Sequence, residues 1–218
     1  AKDAYGDSYY YRGNVTNNYV KFAGFYWRII RINGDGTVRV IYDGTSAHAN
    51  GESSSDRQIG TTAFNSSYND NAYVGYMYGK AGASTYAETH ANTNNSTIKT
   101  YLDTWYENNI KGTTNEQYVK GNLFCNDRSF AKDNSGTGVG TSETHYRLYS
   151  FVNKGNGVLT YGIGLVTIDE VVLAGGWGSS NSKYYLYSGE YYFTMSPISF
   201  RGSGAAGNVV LVNGNVTG

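Results

Sequence analysis

Cysteine, paired histidines and blocks of like charge are all scarce in this chain, and each scarcity excludes a class of chemistry. Cys125 is the only cysteine among 218 residues, so no disulfide can form within the chain. It also cannot supply the paired thiols that a copper-dependent oxidase would need. A lone thiol is more typical of interior packing than of a nucleophile or of half an intermolecular bridge. We therefore expect Cys125 to be packed.

Charge is balanced along the whole sequence. The 17 basic and 17 acidic residues cancel and form no block of one sign. Because nucleic acid and anionic lipid are bound through clustered Lys and Arg, the sequence predicts no nucleic-acid partner and no membrane contact by this domain. The chain begins at Ala1 without an apolar leader. We therefore expect any targeting segment to lie outside this sequence.

Motifs for metal, nucleotide and acyl-transfer chemistry are also missing. His48, His90 and His145 lie in separate polar stretches without the spacing of a metal site, and we expect solvated loop histidines. Neither Gly-x-Ser-x-Gly nor Gly-x-x-x-x-Gly-Lys occurs. The sequence therefore predicts no enzyme and no bound cofactor.

Carboxylates that could form a hydrolytic pair have simpler explanations. Asp169 and Glu170, which could pair with Glu190, fall in the first turn of a predicted helix, where the helix dipole favours acids. Asp35 and Asp43 lie near a predicted hairpin, and we expect turn residues there and not cation ligands.

Tyrosine and glycine are the residue types in excess. The chain has 23 tyrosines, clustered among Ser, Asn and Gly, and 29 glycines. A phenol offers a flat apolar face and one hydroxyl at low entropic cost, which is typical of a recognition surface. The alternative is the preference of aromatics for strands, which we expect to account for about half of the rings. Dispersed glycine predicts many turns in a single domain, 1–218.

A β-hairpin is predicted near the N-terminus. Two extended runs, 20–32 and 38–42, are joined by Asn-Gly-Asp-Gly at 33–36, where residues that accept positive φ allow the chain to reverse. Alternation along the strands predicts that the arginines lie mainly on solvated faces. These arginines are Arg28, Arg31 and Arg39. The Ser-rich stretch 44–60 predicts a loop.

Two helices follow, and then strands. A helical stripe of apolar residues follows Asn95 or Ser96 as the cap, and it consists of Ile98, Tyr101, Leu102, Trp105 and Ile110. A capping box, Thr-Ile-Asp-Glu at 167–170, starts the second helix, and glycines at 175–176 end it. Residues 184–218 alternate in polarity, and Asn-Gly at 213–214 predicts a reversal, after which we expect either a very short returning strand or a chain that was cut. This order predicts an α+β domain.

Eight segments together resemble a family of Firmicutes surface proteins in which a prepilin-type or membrane-anchoring N-terminus precedes such a domain. They are 11–24, 27–36 (WRIIRINGDG), 75–79 (GYMYG), 96–99, 102–106 (LDTWY), 124–129, 159–176 and 192–197 (YFTMSP). Two of them also resemble the helix and core strand of C-type-lectin-like domains of the formylglycine-generating-enzyme type. Diversity-generating retroelements use that fold for their variable proteins.

The resemblance implies a C-type-lectin-like α+β domain with long loop insertions, displayed outside the cell. The Glu-Pro-Asn or Gln-Pro-Asp turn that holds calcium and sugar in C-type lectins is absent, since the only proline is Pro197 in Ser-Pro-Ile-Ser. Gly162 stands where family members usually have proline, and no second cysteine-bearing segment lies between 147 and 151. Cys125 thus lacks the partner that the family pattern would supply.

The aromatic and amide-rich C-terminal stretch is the predicted binding face. Its residues are Trp177, Tyr184, Tyr185, Tyr187, Tyr191, Phe200, Arg201, Asn208 and Asn213. The last four fall in the segment that corresponds to the variable region of retroelement-diversified relatives. We expect a non-enzymatic, adhesin-like domain of a cell surface or pilus that holds an extracellular protein or glycan without a cofactor. The alternatives are a self-assembling pilin-like filament subunit and a cell-wall or glycan hydrolase with two carboxylates in a groove.

Overall fold

Two helices, α1 (Thr97–Asn109) and α2 (Ile168–Ala174), and several antiparallel sheets organise the part of the chain that the computed structural model describes. That part comprises residues 2–3, 5–68, 70–84, 88, 91–121, 124, 159–176, 181–199, 206–210 and 216–217. Its strands are β1 (Lys2–Asp3), β2 (Gly6–Asp7), β3 (Tyr9–Tyr10), β4 (Tyr19–Phe22), β5 (Phe25–Ile32), β6 (Val38–Gly44), β7 (Met77–Tyr78), β8 (Asn94–Asn95), β9 (Tyr192–Ser199), β10 (Ala206–Val210) and β11 (Val216–Thr217). The predicted α+β class is confirmed. Within these residues no helix is long and apolar enough to span a membrane.

The predicted hairpin is present, and its first arm contains an additional turn. β5 pairs with β6 in antiparallel register across the turn at 33–36. The predicted run 20–32 is two strands, because Ala23 and Gly24 have positive φ values of 53° and 84° and reverse the chain between β4 and β5. The sheet therefore has β5 at its centre, with β6 on one side and β3 and β4 on the other.

The arginines of this sheet lie in the interior, so the prediction of solvated arginines is wrong. Arg28 and Arg31 are 1% and 6% exposed, and the Arg39 side chain is 9% exposed. Burial of a guanidinium is tolerated only when polar partners replace water. Arg28 has such partners, since it donates to Oδ1 of Asn18 at 2.9 Å and to Oδ1 of Asn50 at 2.7 Å.

Glu170 is the shared partner of the other two arginines. Its carboxylate contacts Nε of Arg39 and lies 3.6 Å from Nη1 of Arg31. Burial by itself would raise the pKa of Glu170, but Arg39 and Arg31 outweigh burial and hold the pKa below its usual value. A carboxylate explained from the sequence by helix capping and the helix dipole thus also joins α2 to the N-terminal sheet.

Both ends of α2 follow the sequence prediction. Thr167 Oγ1 accepts from the Glu170 amide, and Oε2 of Glu170 accepts from the Thr167 amide at 2.8 Å, which completes the capping box. Gly175 ends the helix with φ 116°, a conformation that residues with a Cβ rarely adopt. The boundaries of this helix are therefore set locally.

α1 also begins where the sequence predicts. Ser96 Oγ accepts from the Lys99 amide at 3.2 Å, and the inward side of the helix packs in the second of two hydrophobic clusters. The first cluster joins the N-terminal sheet to α2 and contains Ile30, Val166, Ile168, Val171, Ala174, Tyr184, Tyr185 and Leu186. The second contains Tyr76, Ile98, Leu102, Tyr106, Ile110, Leu159, Ile163 and Met195.

The C-terminal strands form a separate three-stranded antiparallel sheet in the order β11-β10-β9. β9 connects to the rest through the Met195 amide, which donates to the Val166 carbonyl at 2.8 Å. β10 and β11 are antiparallel, and β11 has two residues, as expected for a reversal followed by a very short strand. The Asn-Gly pair at 213–214 and Cys125 lie outside the described residues.

Candidate ligand-binding groove

Two tyrosines of the predicted binding face are interior residues, which corrects the expectation that their rings point outward. Tyr184 and Tyr185 are 0% and 1% exposed and belong to the first hydrophobic cluster. Burial raises the pKa of Tyr184 to about 12, because a phenolate is poorly solvated there. These rings fill the space between β5 and α2, so they stabilise the fold and cannot contact a ligand at the surface.

The remaining predicted residues do not form one described surface. Tyr187 is partly buried against the first cluster, whereas Tyr191 is 60% exposed. Asn208 lies in β10, where only the backbone is described. The other predicted residues, Trp177, Phe200, Arg201 and Asn213, lie outside the described residues. Among the members of this face with described side chains, Tyr191 alone is exposed.

The loop after β6 holds a buried polar cluster that sequence analysis assigned to solvent. His48 is 5% exposed, and Asp43 is 1% exposed. Asp43 accepts from Nε of Arg57 at 3.0 Å and from the His48 amide at 3.0 Å. The predictions of a solvated His48 and of Asp43 as a turn residue are therefore wrong, whereas Asp35 accepts from the Thr37 amide within its turn, as predicted. His90 and His145 lie outside the described residues.

A groove of about 610 Å³ lies along the outward side of α1. The helix contributes residues at spacings of three and four, which share one side of a helix. These residues are Thr97, Thr100, Tyr101, Thr104, Trp105 and Asn108. The rest of the lining comes from two other segments and comprises Thr62, Asn65, Ser66, Tyr78 and Asn95. The volume falls within the usual range for small-ligand sites, about 300–1,000 Å³.

The first wall of the groove is the segment 62–66, which crosses the N-terminal end of α1. The Phe64 carbonyl accepts from the Ile98 amide at 3.1 Å, and Oγ1 of Thr97 accepts from the Ser66 amide at 3.0 Å. Phe64 also packs edge-on against Phe193, with ring centroids 5.6 Å apart. A backbone anchor and a partly buried ring therefore fix this wall against the helix.

The second wall is the β7–β8 pair. Tyr78 pairs with Asn94 and Met77 with Asn95 in antiparallel register. The Tyr78 ring rests on Tyr73, with centroids 5.2 Å apart. The phenol and amide that line this side are thus carried by regular backbone, which restricts their movement.

Aromatic rings from α1 lie along the floor and rim. Trp105 packs against Phe25, Trp27 and Tyr42 at centroid distances of 5.3, 6.2 and 5.8 Å, so its indole is held from behind. The Tyr101 hydroxyl lies so close to Gly60 that a Cβ there would be 1.9 Å away. Gly60 thereby leaves room for the Tyr101 ring, which is 39% exposed.

The lining mixes polar and apolar surface in similar amounts, and it carries no carboxylate, ammonium, guanidinium or imidazole among the described residues. Thr100 Oγ1 donates to the Ser96 carbonyl at 3.1 Å, and Thr104 Oγ1 donates to the Thr100 carbonyl at 2.9 Å. Their donors are thus used within the helix, and their oxygens remain as acceptors. Nδ2 of Asn65 is buried without a hydrogen-bond acceptor in the described part of the chain.

Such a lining can hold a ligand by stacking and hydrogen bonding, and it presents no strongly basic or acidic group for proton transfer. Over the described ranges no three His, Cys, Asp or Glu side chains are grouped as metal ligands would be. No protein-family model, curated protein or solved structure matches the chain. Its function is therefore argued from the groove itself.

The sequence did not predict this groove because all apolar residues of α1 were interpreted as one stripe of the helix. The helical stripe that predicted the helix included Tyr101 and Trp105, and both line the groove. A signal was present in the threonines at 97, 100 and 104, since threonine is a poor helix former and recurs here on one side of the helix. The two walls gave no such signal, because they come from distant parts of the chain.

Proposed function

We propose that this chain is a non-enzymatic ligand-binding domain of a bacterial cell surface or pilus, and that the groove along α1 is its binding site. The observation that carries the proposal is a ligand-sized groove lined by hydroxyls, amides and aromatic rings. Surfaces of this composition combine contact area with adaptable hydrogen bonds. The surface location and the C-type-lectin-like fold rest on the family resemblance of the sequence.

Binding is favoured over catalysis by the chemistry of the lining. General acid–base and nucleophilic catalysis need an ionisable or activated group beside the reacting atoms. Apart from the phenols of Tyr78 and Tyr101, the described lining carries no ionisable side chain. A glycan hydrolase would need two carboxylates in the groove, and no described lining residue supplies one, so no observation favours that alternative.

A filament subunit remains the second candidate because one exposed apolar row supports it. Tyr9 pairs with Ile32, and Ile32 pairs with Val38, so the three side chains share one side of the sheet. They are 68%, 40% and 50% exposed. Sedimentation of the purified chain tests this role, since a subunit that assembles through the row should form oligomers that Ile32→Asp disrupts.

The binding site can be located with three matched tyrosine variants. Tyr101 lines the groove, Tyr191 belongs to the C-terminal face, and Tyr118 is 69% exposed outside both. We expect a ligand selected from glycan and peptide arrays to lose about tenfold in affinity with Tyr101→Ala. It should bind Tyr191→Ala and Tyr118→Ala as it binds the parent chain.

Backbone amide shifts provide an independent readout. Ligand should perturb α1, the 62–66 segment and the β7–β8 pair, which line the groove. Loss of binding with Tyr191→Ala, together with unshifted α1 amides, would move the site to the C-terminal face. If no ligand of either class bound, the adhesin-like role itself would be rejected.

A further inference from the structure

We infer that the ligand of the groove is an uncharged carbohydrate chain lying along α1. This inference rests on the proposed function and adds the chemical class of the ligand. The first reason is the absence of ionic side chains from the described lining. Anionic sugars, phosphates and acidic peptides are usually held by the guanidinium fork of Arg or the ammonium group of Lys, and the described lining offers neither.

The second reason is the pattern of donors and acceptors. A sugar hydroxyl donates one hydrogen bond and accepts others, so its site needs both kinds of partner. Thr100 and Thr104 present oxygens whose own hydrogens are bonded within the helix. Asn95 and Asn108 present exposed amides, which can donate, at opposite ends of the helix. Hydroxyls of a ligand would satisfy this mixture.

The third reason is the position of the rings. Tyr101 and Trp105 are consecutive on one side of α1, and Tyr78 stands across from them on β7. The apolar face of a pyranose packs against an aromatic face while its equatorial hydroxyls point sideways to hydrogen-bonding groups. Rings flanked by threonine and asparagine provide both contacts at once.

The fourth reason is the extended shape of the lining. Its helical residues run from Thr97 to Asn108, eleven steps that span about 16 Å at the rise of an α-helix. A chain of several linked units matches this length better than a single compact molecule does. A peptide would need either apolar anchor pockets or a long free strand edge. The described lining has no aliphatic residue, and β8 has two residues.

Calorimetric titration of the full chain with matched oligosaccharides tests the inference. The probes are neutral oligomers of hexose and of N-acetylhexosamine and, for comparison, uronic acid oligomers of equal length. We expect neutral oligomers to bind with an affinity that rises with length and is unchanged by added salt. Uronic acid oligomers should bind about tenfold more weakly, because no described cation of the lining offsets the desolvation of their carboxylates.

Three variants separate stacking from hydrogen bonding. Tyr101→Phe keeps the ring and should retain affinity within about threefold, whereas Tyr101→Ala should lose about tenfold. Asn108→Asp replaces an exposed amide donor of the lining with a carboxylate of the same shape and should lose about tenfold. Tyr118→Ala is the control that should change nothing, and circular dichroism confirms folding of each variant.

The possible outcomes distinguish a wrong ligand class from a wrong site. Binding of uronic acid oligomers equal to or tighter than that of neutral ones would overturn the assignment of an uncharged carbohydrate. Binding of peptides alone, with perturbed α1 amides, would also overturn it while leaving the groove as the site. Failure of every oligosaccharide and peptide to perturb α1 would remove both the ligand class and the proposed function of the groove.

Discussion

Buried charges decide much of the behaviour of this chain at the scale of single residues. Arg31 and Arg39 share Glu170, and all three side chains are largely removed from water. These buried ions depend on one another, because the loss of Glu170 would remove the counter-charge that both arginines share in a medium that solvates them poorly. The cluster joins β5 and β6 to α2, so its loss should be felt by the whole fold.

We expect Glu170→Gln to destabilise the folded chain by about 3–5 kcal/mol. The amide preserves the shape of the side chain but leaves two buried guanidinium groups without this counter-charge. Urea unfolding at neutral pH, followed by circular dichroism, measures the change. Asp7→Asn, at an exposed strand position, is the control and should stay within about 0.5 kcal/mol of the parent. A change below about 1 kcal/mol for Glu170→Gln would show that the cluster tolerates the loss of its acid.

The position of these arginines could not be read from strand alternation. A bulge between Ile29 and Arg31 interrupts the register of β5 and β6, and Ile30 and Arg31 are consecutive yet both buried. Alternation assigns neighbouring side chains to opposite sides only where the ladder is regular. The acid that makes burial of Arg31 tolerable lies on a helix far along the chain, so local sequence gives no sign of it.

At the scale of elements, the hairpin between β4 and β5 contains a residue that is poorly suited to its conformation. Ala23 has φ 53°, and Gly24 has φ 84°, the positive values of a type I′ turn. Asparagine adopts positive φ more readily than alanine does, and Asn-Gly is the preferred pair in such turns. Because Ala-Gly is not the preferred pair, the sequence did not predict this turn.

Ala23→Asn should therefore stabilise the chain by about 1 kcal/mol. The gain comes from relief of backbone strain at one position and should appear as a higher urea midpoint with an unchanged slope. Ala47→Asn, at an exposed loop residue without positive φ, is the matched control and should leave the midpoint in place. A lower midpoint for Ala23→Asn would contradict the assignment of strain to this turn.

α1 carries a second local weakness, and this one lies on the groove. Thr100 and Thr104 are exposed helical residues, and each is less favourable than alanine by about 0.7 kcal/mol or less. We expect the double variant Thr100→Ala, Thr104→Ala to raise the free energy of unfolding by about 1 kcal/mol. The same variant should weaken binding of a neutral oligosaccharide several-fold, because two acceptors are lost.

Asn109→Ala is the control for affinity, since Asn109 lies on the same helix but does not line the groove. It should leave binding unchanged. Stabilisation without any loss of affinity in the double variant would show that these threonines do not contact the ligand.

Local signals therefore predicted much of the fold, and they predicted little of the site. Ser96 and Thr167 mark helix starts through bonds to amides three residues on, a pattern contained within a few residues of sequence. The groove instead joins three segments of the chain. The sequence predicted one of them, the helix α1, and its apolar residues were interpreted as a single stripe. The other two segments were not predicted to lie beside it. Tyrosine composition was ambiguous for the same reason, since Tyr184 in the interior and Tyr191 at the surface lie in similar sequence.

At the scale of the whole molecule, the stability of the fold should be limited on both sides of neutral pH. On the acid side, the pKa of Glu170 lies below its ordinary value of 4.5 because two arginines outweigh burial. The pKa of Asp3 is also lowered, since hydrogen bonds from Ser8 and the amides of Gly34 and Tyr5 outweigh burial. Groups with a depressed pKa stabilise the folded state above their unfolded pKa, and that contribution is lost as pH falls through the folded value.

On the alkaline side, the sign is reversed because burial raises the pKa of tyrosine. The pKa of Tyr184 reaches about 12 from an ordinary value of 10, and the pKa values of Tyr76 and Tyr185 are raised further. Their contribution to stability is complete below pH 10 and is lost as pH rises through the folded values. We therefore expect the urea midpoint to hold through the neutral range and to fall below about pH 4.5 and above about pH 10.

Tyrosinate absorbance against pH, recorded together with circular dichroism, checks the alkaline limit directly. The buried rings of Tyr184 and Tyr185, whose pKa values burial raises, should ionise only as the far-ultraviolet signal is lost. Ionisation of all 23 tyrosines near pH 10 with the fold intact would mean that Tyr184 and Tyr185 face solvent. The C-terminal face would then regain two of its rings, and it would compete with the α1 groove as the place where a ligand is recognised.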